Sequence, residues 1–266
     1  MARNFDAGAE VSQGGGGVFK NPEPGDHEAV LTGVIHVGSF QDVFKKGNTL
    51  DPKKPANFVL LQATLMGEQD KNEDGSRMVV WKSMSLKSGD KSEMTALLTA
   101  LDPKELAGGF DDLMLTPFIV NMKGSDALNQ DGTPKFVNWK GKGFAGCPER
   151  LLKMIRADVE SEGITAIGHI KFADLTREVL DAIPAHLIRQ YFLSEGLGNN
   201  LSYAGSHVEA LVAAARADDP EWKVKKEGED ESESTPENKQ PLTTQTQSVP
   251  APENVPAPDM DEGQEY

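Results

Sequence analysis

The apolar positions of this chain change period several times, and each change marks an element. From Arg77 to Leu86 they alternate: Met78, Val80, Met84 and Leu86 share one face, and Val79, Trp81, Ser83 and Ser85 the other, which is the pattern of a strand. From Ser92 they recur at three- and four-residue spacing, at Met94, Leu97, Leu98 and Leu101, and predict an amphipathic helix capped by Ser92 or Asp90. Lys82 interrupts the apolar face of the strand and suggests a twist or bulge there. Further strand patterns occupy residues 27–38, Phe58–Met66, FIVNMK after Pro117, and KFVNWKGKGF up to Gly146-Cys147-Pro148. Phe58–Met66 sets Val59, Leu61, Ala63 and Leu65 against Phe58, Leu60, Gln62 and Thr64. Asp74-Gly75 and the segment NQDGTP, residues 129–134, read as hairpin turns. Residues 39–57 read as a long polar connection with paired lysines.

Five strands with one helix between the third and fourth is the order of an OB-fold, a small Greek-key barrel. The expected class is therefore mainly β with appended helices. The barrel spans residues 18–148, after a glycine-rich arm at 1–17 that lacks the Gly-Lys-Ser/Thr of a phosphate loop. Four helical patterns follow within residues 149–226, with Pro148 and Pro184 suited to first turns. Residues 227–266 are rich in Glu, Ser, Thr, Gln and Pro and are expected to be a disordered acidic tail.

Charge sharpens this division. The tail holds eleven Asp/Glu against Lys239 alone, so it carries −10 of the formal −15. Residues 18–147 are nearly balanced, with 15 basic and 17 acidic groups, so the acidic total says little about what the barrel binds. The single cysteine, Cys147, rules out an internal disulfide and argues against a structural zinc, and with no 18-residue apolar run a cytosolic protein off the membrane is expected.

Catalytic motifs do not emerge. The sequence has no HExxH, GxSxG, phosphate-loop or two-cysteine pattern. His27, His36, His169, His186 and His207 stand singly and read as surface or satisfied-core residues. No enzyme activity, cofactor or metal is expected. Binding of single-stranded nucleic acid needs cations along the backbone and aromatic faces for the bases. Strand parity offers Trp81 on the wetter face of the third strand, with Lys82 and Lys87 nearby, and Phe58 on the second. In the fifth strand it puts Phe136, Lys140 and Lys142 outside and Trp139 inside. The long connection supplies Phe40, Phe44, Lys45, Lys46, Lys53 and Lys54 where OB-folds grip ligands. Each aromatic has barrel core as its alternative place.

The runs SLKSGDKSEMTALLTAL, GGFDDLMLTPFIVNM and DGTPKFVNWKGKGFAGCP, with GDHEAVLTGVIHVGSFQ before them, resemble phage-encoded single-stranded DNA-binding proteins with an OB-fold. The resemblance covers about Val18 to Pro148. It implies a protein that coats single-stranded DNA in phage replication, recombination or repair, in the cytoplasm of the infected host. It also implies recruitment of replication or recombination proteins through the acidic terminus, here Asp259, Asp261, Glu262, Glu265 and Tyr266, which ends in tyrosine and not phenylalanine. The helical region is left open to DNA contacts, self-association or docking. The competing expectation is a protein-interaction or virion-associated module that binds no DNA.

Overall fold

The first strand, β1 (Gly25–Gln41), is the frame on which the rest is hung. The computed structural model describes residues 21–46, 49–195 and 198–224, so the acidic terminus with Asp259–Tyr266 lies outside the described residues. β1 pairs antiparallel with β4 (Ala56–Leu65) from Ala29↔Leu65 to Phe40↔Ala56. Its other edge takes three partners in turn. Gly25–Val30 pairs with β6 (Pro117–Gly124), Gly33–Ile35 runs parallel to β8 (Gly168–Ile170), and Phe40-Gln41 meets β9 (Asn199–Asn200). β5 (Val79–Ser85) adds to β4 and β7 (Val137–Gly146) to β6, giving the order β5-β4-β1-β6-β7.

The result is mainly β, with a large antiparallel sheet and a few helices, consistent with an OB-like fold. The barrel is not closed, because β5 and β7 end the sheet without a ladder between them. The helix α1 (Glu93–Leu101) packs Met94, Leu97 and Leu101 into the core that this curled sheet encloses. Ser92 caps it, its Oγ accepting from Thr95 N at 2.9 Å, an interaction worth about 1 kcal/mol. Leu98, expected on the apolar face, points out and is 38% exposed, because Ala100 takes the inward position.

Parity explains how one sheet serves two cores. Ala29 and Leu31 of β1 face the inner core with Val59, Leu61, Ala63 and Leu65 of β4. A register shift between Leu31 and Gly33 moves β1 by one position, so Val34 continues inward while Ile35 and Val37 face out. That outer face is not wet. It packs against α3 (Arg177–Ala182), α4 (Ala185–Phe192) and α5 (His207–Asp218) through Leu180, Ile188, Tyr191, Phe192, Val208 and Val212. Each such fully buried side chain contributes about 1.5–3 kcal/mol relative to exposure. Segments beyond residue 148 therefore share a sheet edge and a buried cluster with β1.

Two close contacts hold this layer to β1. Gly38, at φ +91°, lies against Ser202, whose Cβ would stand 2.6 Å from a Cβ at position 38, and Ser202 Oγ accepts from Ser39 N. Buried Asn200 donates through Nδ2 to the carbonyls of Val37 and Tyr191 at 2.8 and 2.9 Å. The remaining helix, α2 (Glu149–Ser161), packs Ile155 and Val159 on Val30 and Met66 in a third, smaller cluster.

The connection at 39–57 is more regular than expected. Val43–Lys46 (β2) and Thr49–Pro52 (β3) form an antiparallel hairpin that the mixed polar pattern concealed. The turns at Asp74-Gly75 and Asp131-Gly132 are built alike. Both glycines have φ +83°, and Asp74 and Asp131 accept from the backbone N and hydroxyl of Ser76 and Thr133. These bonds hold both carboxyls below their usual range.

Candidate nucleic-acid interface

The hairpin β2–β3 carries an apolar and cationic surface. Phe44 is 39% exposed and Leu50 54%, with Lys45 opposite Leu50 in the ladder and Lys54 exposed just beyond it. Two solvated apolar side chains beside cations that make no ion pair with a described residue suit bases and phosphates better than a packed core. Lys53 is different: its Nζ meets Asp42 Oδ2 at 2.5 Å and its backbone N donates to Asp42 O, so it anchors the hairpin base. Lys46 closes the ladder opposite Thr49, and its side chain lies outside the described residues.

Phe40, expected to contact DNA, is buried. It is 3% exposed, edge-on to Phe58 at 5.7 Å and 4.9 Å from Tyr191, because β1 continues past Gly38 beneath α4. Burial there pushes the Tyr191 phenol well above its ordinary value. Phe58 and Trp81 are half-buried and pack on the outer cluster with Leu60 and Tyr191. Parity put both on the correct face. What it could not register is that later helices pack against that face and half-bury both rings.

Lys82 departs most from expectation. It sits on the inward face, 8% exposed, with Nζ 3.5 Å from Glu93 Oε2 in the first turn of α1. Burial lowers its pKa, and the Glu93 carboxylate works against that shift. The β4–β5 ladder runs without a bulge from Thr64↔Val79 to Phe58↔Ser85, so the strand keeps its period and simply buries a lysine. It is not available to a phosphate. Lys87, two residues past β5, is exposed and makes no ion pair with a described residue.

On β7 the alternation holds from Val137 to Trp139 and breaks at the register shift before Phe144, which returns to the same core. Trp139 is 4% exposed, packed on Phe118 and Phe144, and Asn138 and Lys142 are exposed. The side chain of Lys140 lies outside the described residues. Phe136 is half-buried, with Lys135 Nζ 5.7 Å from its ring centroid, a neighbour not singled out from the sequence. The surface that survives is thus Phe44, Leu50, Lys45 and Lys54 on the hairpin, with Lys87, Phe136 and Lys142 elsewhere on the barrel.

Histidines, read singly in the sequence, pair in the fold. His36 Nε2 and His169 Nε2 lie 2.8 Å apart, and His169 Nδ1 is 3.2 Å from Asp111 Oδ2, tying β8 to β1 and to the 3-10 turn at Phe110–Leu113. His27 Nδ1 is 2.9 Å from both carboxylate oxygens of buried Asp70, and its Nε2 donates to Glu23 O at 2.7 Å. Asp70 raises the His27 pKa, because the protonated ring can donate from both nitrogens. Among the described residues no three His, Cys, Asp or Glu side chains are grouped to hold a metal ion, and no helix is long and apolar enough to cross a membrane.

No known protein family and no curated protein matches the chain. Among solved structures it is similar to yeast RPA bound to ssDNA, at 10% identity and a TM-score of 0.25, over 59% of this chain and 95% of that one. A score at that level does not establish a shared fold.

Proposed function

We propose that the chain is a single-stranded DNA-binding protein whose five-stranded barrel is an OB-fold open at its last seam. The observation that carries this reading is the β2–β3 hairpin, which presents Phe44 and Leu50 to solvent beside Lys45 and Lys54. It joins β1 to the next barrel strand, where OB-folds commonly hold oligonucleotides. Lysines contact phosphates and Phe44 and Phe136 stack on bases, without a sequence code. The protein acts as a coat and not as an enzyme, in phage DNA replication, recombination or repair within the host cytoplasm. Its acidic terminus, from Asp259 to Tyr266, recruits replication or recombination proteins. The sequence resemblance supports these finer roles.

A second reading has its own observation. The outer face of β1, β4 and β5, a usual OB ligand surface, is occupied by the chain's own helices, as in a module that binds proteins and not DNA. A salt titration of fluorescent oligo(dT) separates the two. Binding that weakens linearly in log–log with salt supports the DNA reading. No binding at low salt, by the full chain or by residues 1–226, refutes it.

A further inference from the structure

We infer that the exposed face of α2 extends the DNA track beyond the barrel, holding phosphates as the strand leaves β7. This rests on the single-stranded DNA reading above. The helix is fixed by Ile155 and Val159 against Val30 and Met66, which turns Arg150, Lys153, Met154 and Arg156 to solvent. At about 100° per residue, Arg150, Lys153 and Met154 fall on one side, with Arg156 flanking them. None of the three cations makes an ion pair with a described residue, whereas Arg77, Arg177 and Arg189 each face a carboxylate. The acidic residues of α2 are Glu149 at its start and Asp158 and Glu160 in its last turns, so the first two turns are net positive.

Position completes the argument. β7 runs directly into α2 through Gly146-Cys147-Pro148, and Lys142, Ala145, Gly146 and Pro148 are exposed along the way. From Lys142 to Gly146 is about 13 Å of strand. Arg150, Lys153 and Arg156 then follow at about 4.5 Å of axial rise per step. A backbone that follows these exposed residues from Lys142 to Pro148 then meets the α2 cations in series. Unpaired charge of this kind suits a flexible polyanion, which needs no fixed geometry at each phosphate.

The test compares the full-length protein with two variants of equal charge change. One is Arg150→Gln, Lys153→Gln, Arg156→Gln. The other neutralises exposed Lys104, Lys171 and Arg216, which belong to neither β7 nor α2. All six side chains are exposed, so both variants should keep the wild-type melting temperature. Loss of three phosphate contacts should reduce the slope of log Kobs against log[salt] for oligo(dT) by about 2, since each single-strand contact contributes about 0.7. The occluded length should shorten by about three nucleotides. An unchanged slope in the α2 variant, or an equal drop in the control, overturns the α2 track and leaves DNA binding intact. A wild-type protein that binds no oligo(dT) at low salt overturns both.

Discussion

Trp81 and Phe44 should fail in opposite ways. Trp81 packs with Leu60 and Tyr191 under the helices, while Phe44 is 39% exposed on its hairpin. Truncating a fully buried Trp or Phe to Ala costs about 3–5 kcal/mol, so a half-buried Trp81 should cost about 2. For a domain of this size that is a fall of about 4–8 °C in melting temperature. Phe58→Ala should act similarly, and the double variant should depart from additivity, since both rings pack on the cluster that holds Leu60 and Tyr191. Measured well below the melting temperature, oligo(dT) affinity should be unchanged in either variant. Phe44→Ala should leave the melting temperature within about 1 °C. Its loss of stacking, about 1–3 kcal/mol, should weaken binding roughly five- to hundredfold. If Trp81→Ala keeps the wild-type melting temperature and loses affinity, the helices do not cover that ring during binding, and the assignment of the outer face to structure is refuted.

Two charge pairs give pH signatures of opposite sign. His27 has a folded pKa raised by Asp70, so its contribution is complete below the unfolded value of about 6.5 and is lost as pH rises through the folded one. His27→Asn should therefore flatten the decline of the denaturation midpoint on the alkaline side of pH 6.5, and an unchanged profile would contradict the pairing. Glu162 is held at about 2 by Arg77, whose Nε and Nη2 reach its two oxygens at 2.7 Å, and by Lys71. Its contribution is present above about 4.5 and disappears as pH falls toward 2, and Glu162→Gln should cost up to about 1 kcal/mol at pH 7, read by urea unfolding, and nothing near pH 2.

Much of the barrel was legible because its strands bury one face at a time. Val59, Leu61, Ala63 and Leu65 declared β4, and the Asp-Gly turns declared two of its hairpins. The site was less legible, for a definite reason. Trp81, Phe58 and Leu60 sit on a face whose neighbours come from residues more than ninety positions later, and alternation within a strand carries no information about a second layer. Phe40 went the same way, hidden by Tyr191 and the chain around Gly198. Lys82 misled because its partner, Glu93, belongs to the next element. The α2 cations were visible as Arg150, Lys153 and Arg156 at three-residue spacing, but only the burial of Ile155 and Val159 says which side they take.

The several partners of β1 also set a schedule for synthesis. Its outward residues Ile35 and Val37 are made early, yet the segments that cover them end at Trp222. At roughly 5–20 residues per second, a ribosome needs about 4–15 s to go from residue 148, where the barrel strands are complete, to that tryptophan. During that interval the nascent barrel displays an apolar face and leaves the edge of β1 beyond Leu31 without its later partner β8. Destabilising changes in α4 or α5 should accordingly be felt first as lost soluble yield during expression, before any deficit appears in the purified protein.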